Sequence, residues 1–330
     1  MKVLITGARG FVARHLTRKL ARDGYDVYLT THSGIKSNKV NTVFPMDVKD
    51  VMSVHYVLSA VRPDAIIHLA AQSNIYDAWQ KPTETMEINS IGTLHLIQSI
   101  LEEDLRCKLI IVGSGEEYGA AAKTHRLLTE ESPCYPQNPY AVSKFAASQL
   151  SVQLSQKNDL NVVYLRPFNH FGPGQRKGFV ISDFCSQVAL IEQGLIKPII
   201  KVGDISTYRD FLPIDDIVAA YERAVSENIP AGIYNISSGN PISINYLLHK
   251  ILAFSAMTIH IARDEKRFRP AEVKSFAGDG SKFQKAAGWL PRYDIDGCLL
   301  TTLNWWRSKA SRRPADLSAI SSKTSGSRQS

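Results

Sequence analysis

Short runs of consecutive apolar residues alternate along the first half of the chain with longer stretches whose apolar positions recur every three or four residues. A short apolar run suits a strand buried on both faces, and the wider spacing suits a helix that buries one side. Val3–Thr6, Asp26–Thr30, Thr42–Met46, Ala65–Leu69, Lys108–Val112 and Val162–Arg166 therefore predict strands. Phe11–Arg22, Val51–Val61, Thr85–Leu101 and Tyr140–Lys157 predict helices between them. This alternation predicts an α/β fold, a doubly wound parallel sheet with helices on both faces. Right-handed crossovers then gather the strand ends at one edge, where ligands bind.

After residue 168 the rhythm loosens, and Gly172-Pro173-Gly174, Gly203-Asp204, Gly239-Asn240-Pro241 and Arg269-Pro270 punctuate shorter elements. The expected division is a dinucleotide-binding domain at 1–168, a smaller, mostly substrate-binding lobe at 169–308, and a basic tail at 309–330. Segments near 209–217 and 232–236 are expected to return to the main sheet. The tail is rich in Ser and poor in large apolar residues, which predicts disorder. Lys309, Arg312, Arg313, Lys323 and Arg328 against Asp316 give it half of the net charge of +8. A solvated basic tail, with no nucleic-acid partner, is the expectation; the charge that remains suits an anionic small molecule as well as nucleic acid. No apolar run reaches the ~18 residues of a membrane span, and the first residues lack the pattern of a signal peptide. Cys107, Cys134, Cys185 and Cys298 are scattered without metal-ligand spacing, as in a reduced, cytoplasmic protein.

Two strings carry chemistry. Gly7-Ala8-Arg9-Gly10-Phe11-Val12-Ala13 follows the first predicted strand at once and opens the first predicted helix. Gly7 permits a tight turn, Gly10 lets the backbone approach a pyrophosphate, and Ala13 keeps helix and strand close. The helix N-terminus adds free N–H groups and positive dipole. Tyr140-Ala141-Val142-Ser143-Lys144 puts a phenol and an ammonium on one helical face. Tyr140 is the candidate acid, and Lys144 is expected to stabilise its phenolate and to reach a nicotinamide ribose. Ser114, at a strand end, could share the substrate oxygen with Tyr140. Glu116 and Glu117 follow; alternation after Ser114 favours Glu116 as the one facing the pocket.

Cofactor candidates are Gly7, Arg9, Gly10, Phe11 and Val12 at the turn, with Asp47 for the adenine amino group and Val48 beside it. Leu69, Ala70 and Ala71 offer small groups next to ribose and pyrophosphate, and Pro167 follows the sixth predicted strand. A NAD-preferring site usually carries a carboxylate after the second strand. Here that stretch reads Thr30-Thr31-His32-Ser33, with Lys36 close by, so NADPH is favoured and NADH remains usable.

These strings resemble the extended short-chain dehydrogenase/reductase family, a Rossmann-type fold whose pattern is T-G-x-x-G-x-x-G, a strand-end Ser or Thr, and Y-x-x-x-K. Ala13 replaces the third glycine. Within the family the chain is most similar to the GDP-4-keto-6-deoxy-D-mannose reductases, over roughly residues 1 to 306. The similarity rests on Gly113-Ser114-Gly115-Glu116-Glu117-Tyr118-Gly119, on Arg166 through Gln175, on Lys201-Val202-Gly203-Asp204 and on Arg269-Pro270-Ala271-Glu272-Val273. It implies a homodimer paired through two helices per subunit, with apolar residues such as Leu94, Ile97, Ile100, Leu150 and Leu154 available for the contact. It also implies a GDP-linked sugar substrate contacted by Ser73, Glu116, Asn169, Val180, Lys201, Arg209, Arg269 and Glu272. The implied reaction is reduction of a C4 ketone. A 4,6-dehydratase or sugar-nucleotide epimerase on the same fold is the alternative. The segment Thr31 to Val40 is short for a GDP-mannose dehydratase, and Gly115 departs from its usual Ser or Asp. A non-catalytic NADP-binding protein would typically have lost the Tyr or the Lys, and both are present.

Overall fold

The computed structural model describes residues 1–32, 42–265, 273–292 and 294–312. Two compact units divide the chain. The first comprises Met1–His170, Arg209–Pro241 and Val273–Arg292, and the second Phe171–Tyr208, Ile242–Glu272 and Tyr293–Ser330.

The first unit is built on β1 (Lys2–Thr6), α1 (Phe11–Arg22), β2 (Asp26–Thr31), β3 (Thr42–Pro45), α2 (Val51–Val61) and β4 (Ala65–His68). It continues through α3 (Ile75–Gln80), α4 (Pro82–Met86), a π-helical turn Glu87–Ile91, α5 (Gly92–Glu102), β5 (Lys108–Val112), α6 (Pro139–Asn158) and β6 (Val162–Pro167). The strand Gly232–Ile236 joins them in a seven-stranded parallel sheet, ordered Gly232–Ile236, β6, β5, β4, β1, β2, β3. The segment near 209–217, also expected there, instead forms the strand Tyr208–Pro213 of a separate smaller sheet and the start of the helix Ile214–Ser226. The strand order reverses direction between β1 and β4, the place where such sheets bind ligands.

One face of the sheet buries Val3 and Ile5 against Leu16 and Leu20 of α1 and against Ile217 and Tyr221 of the helix Ile214–Ser226. The other buries Leu4, Ile66 and Ile111 against Val54 and Leu58 of α2 and Leu96 of α5. Residues of each strand alternate between two covered faces, which is why the strands read as continuous apolar runs.

The continuous helix expected over Thr85–Leu101 is instead α4, the π-turn and α5. The turn has local causes: Thr93 Oγ1 donates to the Asn89 carbonyl at 2.7 Å and Ser90 Oγ to the Ser143 carbonyl at 2.8 Å. Gly92 sits so close to Val48 that a Cβ would stand 2.8 Å from Val48 Cγ2. α3, capped by Asn74, was not expected. Two of the apolar residues offered for a subunit contact, Ile97 and Ile100, are spent in this unit's own core, where Leu154 also packs. The exposed large apolar side chains on these helices are Ile91, Leu101 and Val142, with Ile75, Tyr76 and Trp79 on α3.

In the second unit the helix Val180–Glu192 packs against the helices Ile295–Arg312 and Ile244–Ala253. Arg307 grips Glu192 with two bonds of 2.7 Å. The strands Ile199–Val202 and His260–Arg263 pair in parallel. Among the described residues, no helix is long and apolar enough to cross a membrane.

Candidate active site

The glycine turn is fixed by its backbone. Gly7 has φ +70°, and a Cβ there would meet the Ala70 backbone at 2.8 Å. Gly10 N–H donates to the Gly7 carbonyl and Ala8 N–H to the Thr30 carbonyl, each at 2.9 Å, tying the turn to the end of β2. α1 starts after Gly10 with no side chain capping its N-terminus. Ala13 is fully buried in the core beneath. A diphosphate fits such a turn, because the first helical N–H groups need an acceptor that no side chain supplies. Phe11 and Val12 are half-buried on this first turn, and Arg9 is exposed.

Thr6 links this turn to the end of β4. Its Oγ1 accepts from Leu69 N–H at 3.1 Å and Ala70 N–H at 3.0 Å, so its own proton goes to His68 Nδ1 at 2.9 Å. His68 Nε2–H then donates to Thr93 Oγ1 at 3.1 Å. Burial, with some help from Lys144, pushes the His68 pKa down to about 3, keeping it neutral. Thr93 passes the chain to the Asn89 carbonyl. The Asn89 side chain accepts from Gln72 N–H and donates to the Gln72 carbonyl and to Ser143 Oγ, each at 2.9 Å. Ser143 Oγ donates to the Tyr140 carbonyl at 2.7 Å. A single buried chain of hydrogen bonds thus joins the glycine turn to α6.

Ser114, Tyr140 and Lys144 are brought together at the ends of β5 and α6. Asn138 caps α6, accepting from Ala141 N–H at 2.9 Å, and Pro139 follows in the first turn. Lys144 Nζ donates to the Val112 carbonyl at 2.8 Å. Burial pulls the Lys144 pKa down to about 8, against the field of Glu117. Tyr140 departs from expectation: its pKa is raised, not lowered. Although the residue as a whole is half-buried, desolvation of the hydroxyl dominates, and a hydrogen bond with Ser114 only offsets it. The carboxylates of Glu116 and Glu117 add to the rise.

After Ser114 the chain forms a 3-10 turn, not the extended stretch that alternation assumes. Ser114 Oγ accepts from Glu116 N–H at 3.1 Å, and Glu117 Oε1 accepts from Ser114 N–H at 2.9 Å, a reciprocal capping box. Glu117 is fully buried and paired with Arg166 at 2.9 Å. Glu116 is half-buried; burial raises its pKa, while the Arg209 charge and a hydrogen bond with Asn138 oppose the rise. Of the two, Glu116, the residue favoured from sequence, is the less buried, by a different local geometry. Sequence reasoning missed Glu117, though the S-x-x-E spacing signals it. It also missed Thr6, His68 and Asn89, whose partners lie far along the chain.

The remaining candidates scatter more widely. Leu69 and Ala70 are half-buried beside Thr6, with Ala71 half-buried next to them. Asp47 Oδ1 accepts from Lys49 N–H at 3.0 Å, and Oδ2 lies 3.9 Å from Nε2 of the exposed His32. Val48 is buried against Gly92. Pro167 pairs with Ile236 in the sheet. Asn169 and Arg209 belong to the first unit, and Arg209 donates to the Val273 carbonyl at 3.3 Å. Ser73 is exposed. Val180 starts a helix of the second unit, and the exposed Lys201 lies on that unit's strand Ile199–Val202. Ser33, Lys36, Arg269 and Glu272 lie outside the described residues.

The GDP-mannose 4,6 dehydratase family matches residues 4–302. A GDP-6-deoxy-D-mannose reductase of Pseudomonas aeruginosa is 33% identical over 308 residues, 93% of this chain and 98% of the relative. GDP-mannose 4,6 dehydratase 1 of Arabidopsis thaliana is 26% identical over 89% of this chain and 86% of its own length. A solved structure of RMD from Pseudomonas aeruginosa complexed with NADPH superimposes with a TM-score of 0.82 at 32% identity, covering 93% of this chain and 99% of that one. The chain belongs to the GDP-mannose 4,6 dehydratase family, within the extended short-chain dehydrogenases/reductases.

Proposed function

We propose that this protein is an NADPH-dependent oxidoreductase that reduces the C4 ketone of a nucleotide-linked 4-keto-6-deoxy sugar, GDP-4-keto-6-deoxy-D-mannose first among them. The similar reductase and the NADPH-bound neighbour support the substrate class and cofactor. The reducing direction rests on the similar reductase, and the observation that carries the chemistry is the meeting of Ser114 and Lys144 with Tyr140. Burial and two nearby carboxylates hold its phenol protonated, as an acid that donates to a forming alkoxide must be.

Gly7, Gly10 and the first turn of α1 would hold the cofactor diphosphate, Asp47 the adenine, and Lys144 the nicotinamide ribose. A cofactor held by these residues would supply hydride to the carbonyl carbon. Tyr140 gives its proton to the C4 oxygen, and Ser114 shares that oxygen and steadies the phenol. Lys144 remains charged below its pKa of about 8, and solvent replaces the proton that Tyr140 gives up. Glu116, with Asn138 and Arg209 beside it, orients the sugar.

The second reading is a 4,6-dehydratase, favoured by the position of Glu116, whose burial-raised pKa suits a base at C5. A dehydratase retains its cofactor through the cycle and needs none added. Incubation with GDP-4-keto-6-deoxy-D-mannose should consume NADPH in equal amount and yield one 4-hydroxy product by NMR. Turnover of GDP-mannose by the purified protein without added NADPH would overturn the reductase reading. The protein acts in the cytoplasm as a homodimer through the faces of the π-helical turn and α6 that expose Ile91 and Val142.

A further inference from the structure

Beneath the site, Glu117, Tyr164 and Arg166 are at most 2% exposed, beyond reach of a substrate. Arg166 Nε donates to Glu117 Oε2 at 2.9 Å, and its guanidinium lies 4.8 Å from the centre of the Tyr118 ring. Tyr118 is held in turn, its hydroxyl donating to Asn235 Oδ1 at 2.7 Å. The other Glu117 oxygen, Oε1, accepts from Ser114 N–H at 2.9 Å and lies 2.9 Å from the Tyr164 hydroxyl. That hydroxyl is also 2.8 Å from the Lys144 carbonyl. It has one proton, so the two acceptors share it. One carboxylate therefore reaches Ser114 directly and Lys144 through Tyr164. The packing leaves no slack: a Cβ on Gly113 would stand 2.3 Å from Tyr164 Cε1 and 2.5 Å from Glu117 Oε1.

A buried ion pair is poorly explained by stability, since apolar replacements of similar volume are often as stable or more so. We infer that Glu117, clamped by Arg166, is a positioning residue for the reduction, holding Ser114 and Lys144 in register and setting the charge beneath Tyr140. This rests on the reductase reading above. The charged and titratable groups facing Lys144 are Glu117 and His68; Tyr140 faces Glu116, Glu117, Tyr164 and Tyr221. Glu117 itself also faces Arg166, Tyr164 and Cys134. Its negative charge favours the ammonium of Lys144 and disfavours the phenolate of Tyr140, so it keeps both in the protonated forms that reduction uses.

Three variants test this with the full-length protein. Glu117→Gln keeps an acceptor for Ser114 and removes the charge. Glu117→Gln with Arg166→Met leaves no lone buried charge and serves where the single variant does not fold. Tyr164→Phe removes only the shared proton. The first two should lower kcat about tenfold or more, since small misplacements at a reacting centre are costly. They should also move the basic limb of the kcat–pH profile down by about one unit, as loss of a nearby charge does, with the NADPH KM little changed. Tyr164→Phe should lower kcat without moving that limb. The Lys144 signal in 13Cε-lysine NMR, assigned with Lys144→Met, should titrate at lower pH in the charge-removing variants. Lower melting temperature with unchanged kcat, profile and Lys144 titration would overturn the inference. A wild-type protein that leaves the 4-keto sugar unreduced would instead defeat the reductase reading. The Lys144 titration needs no substrate and decides the charge-setting role alone.

Discussion

Tyr140 lies where burial and two carboxylates work against its ionisation, and only Ser114 works for it. Tyr140→Phe keeps the ring and removes the proton donor, so kcat should fall ~100-fold or more. The dissociation constant for NADPH should stay near wild type; fluorescence titration and steady-state rates check both halves. His68 makes a separate prediction about acid stability. Its folded pKa of about 3 lies below the ordinary 6.5, so between those values the unfolded chain binds more protons. Stability must therefore fall as pH drops through that window. His68→Gln, which can still accept from Thr6 and donate to Thr93, should flatten the melting temperature between pH 6.5 and 4 relative to wild type. Tyr140, Lys144 and Ser114 were legible in the sequence because a short motif and a strand end place them. Asn89 was not: it meets Ser143 across 54 residues, and no local spacing records that. The shift of Tyr140 was misread because a neighbouring lysine is visible in a sequence, whereas desolvation is a property of the assembled site.

At the scale of elements, the apolar runs gave the six strands of the first half to within about one residue, the usual uncertainty of element ends. The break between α4 and α5 was hidden because the helical spacing continues through it. What breaks the helix is side-chain bonding around Asn89 and the contact of Gly92 with Val48. Asn89→Leu keeps the bulk, strands the Gln72 N–H and carbonyl, and takes from Ser143 Oγ the bond it accepts. Unsatisfied buried groups at this site should cost about 2–4 kcal/mol in urea unfolding. Because Ser143 bonds the Tyr140 carbonyl, kcat should fall as well. A loss under about 0.5 kcal/mol, with full activity, would show that the π-turn forms without Asn89.

Over the whole molecule, the return of Gly232–Ile236 to the sheet was legible because its apolar run matches a buried strand. The share of Val273–Arg292 in the first unit was not, since no periodic run marks it. Ile97, Ile100 and Leu154, offered for a subunit contact, pack in this unit's own core for a related reason: sequence periodicity does not distinguish a helix's own core from a partner's. The exposed set, Ile91 at 41% and Val142 at 43%, makes a sharper prediction. Light scattering at micromolar concentration should give a dimer, and Val142→Glu should shift it to monomer. A wild-type monomer would remove the assembly.

The most direct test of the account follows two hydrogens. Reduction with NADPH deuterated at the transferred position should place deuterium at C4 of the product sugar, and nothing from solvent should enter C5. Deuterium from solvent at C5, in a product formed from GDP-mannose, would contradict the assignment and make Glu116 the base of a dehydratase.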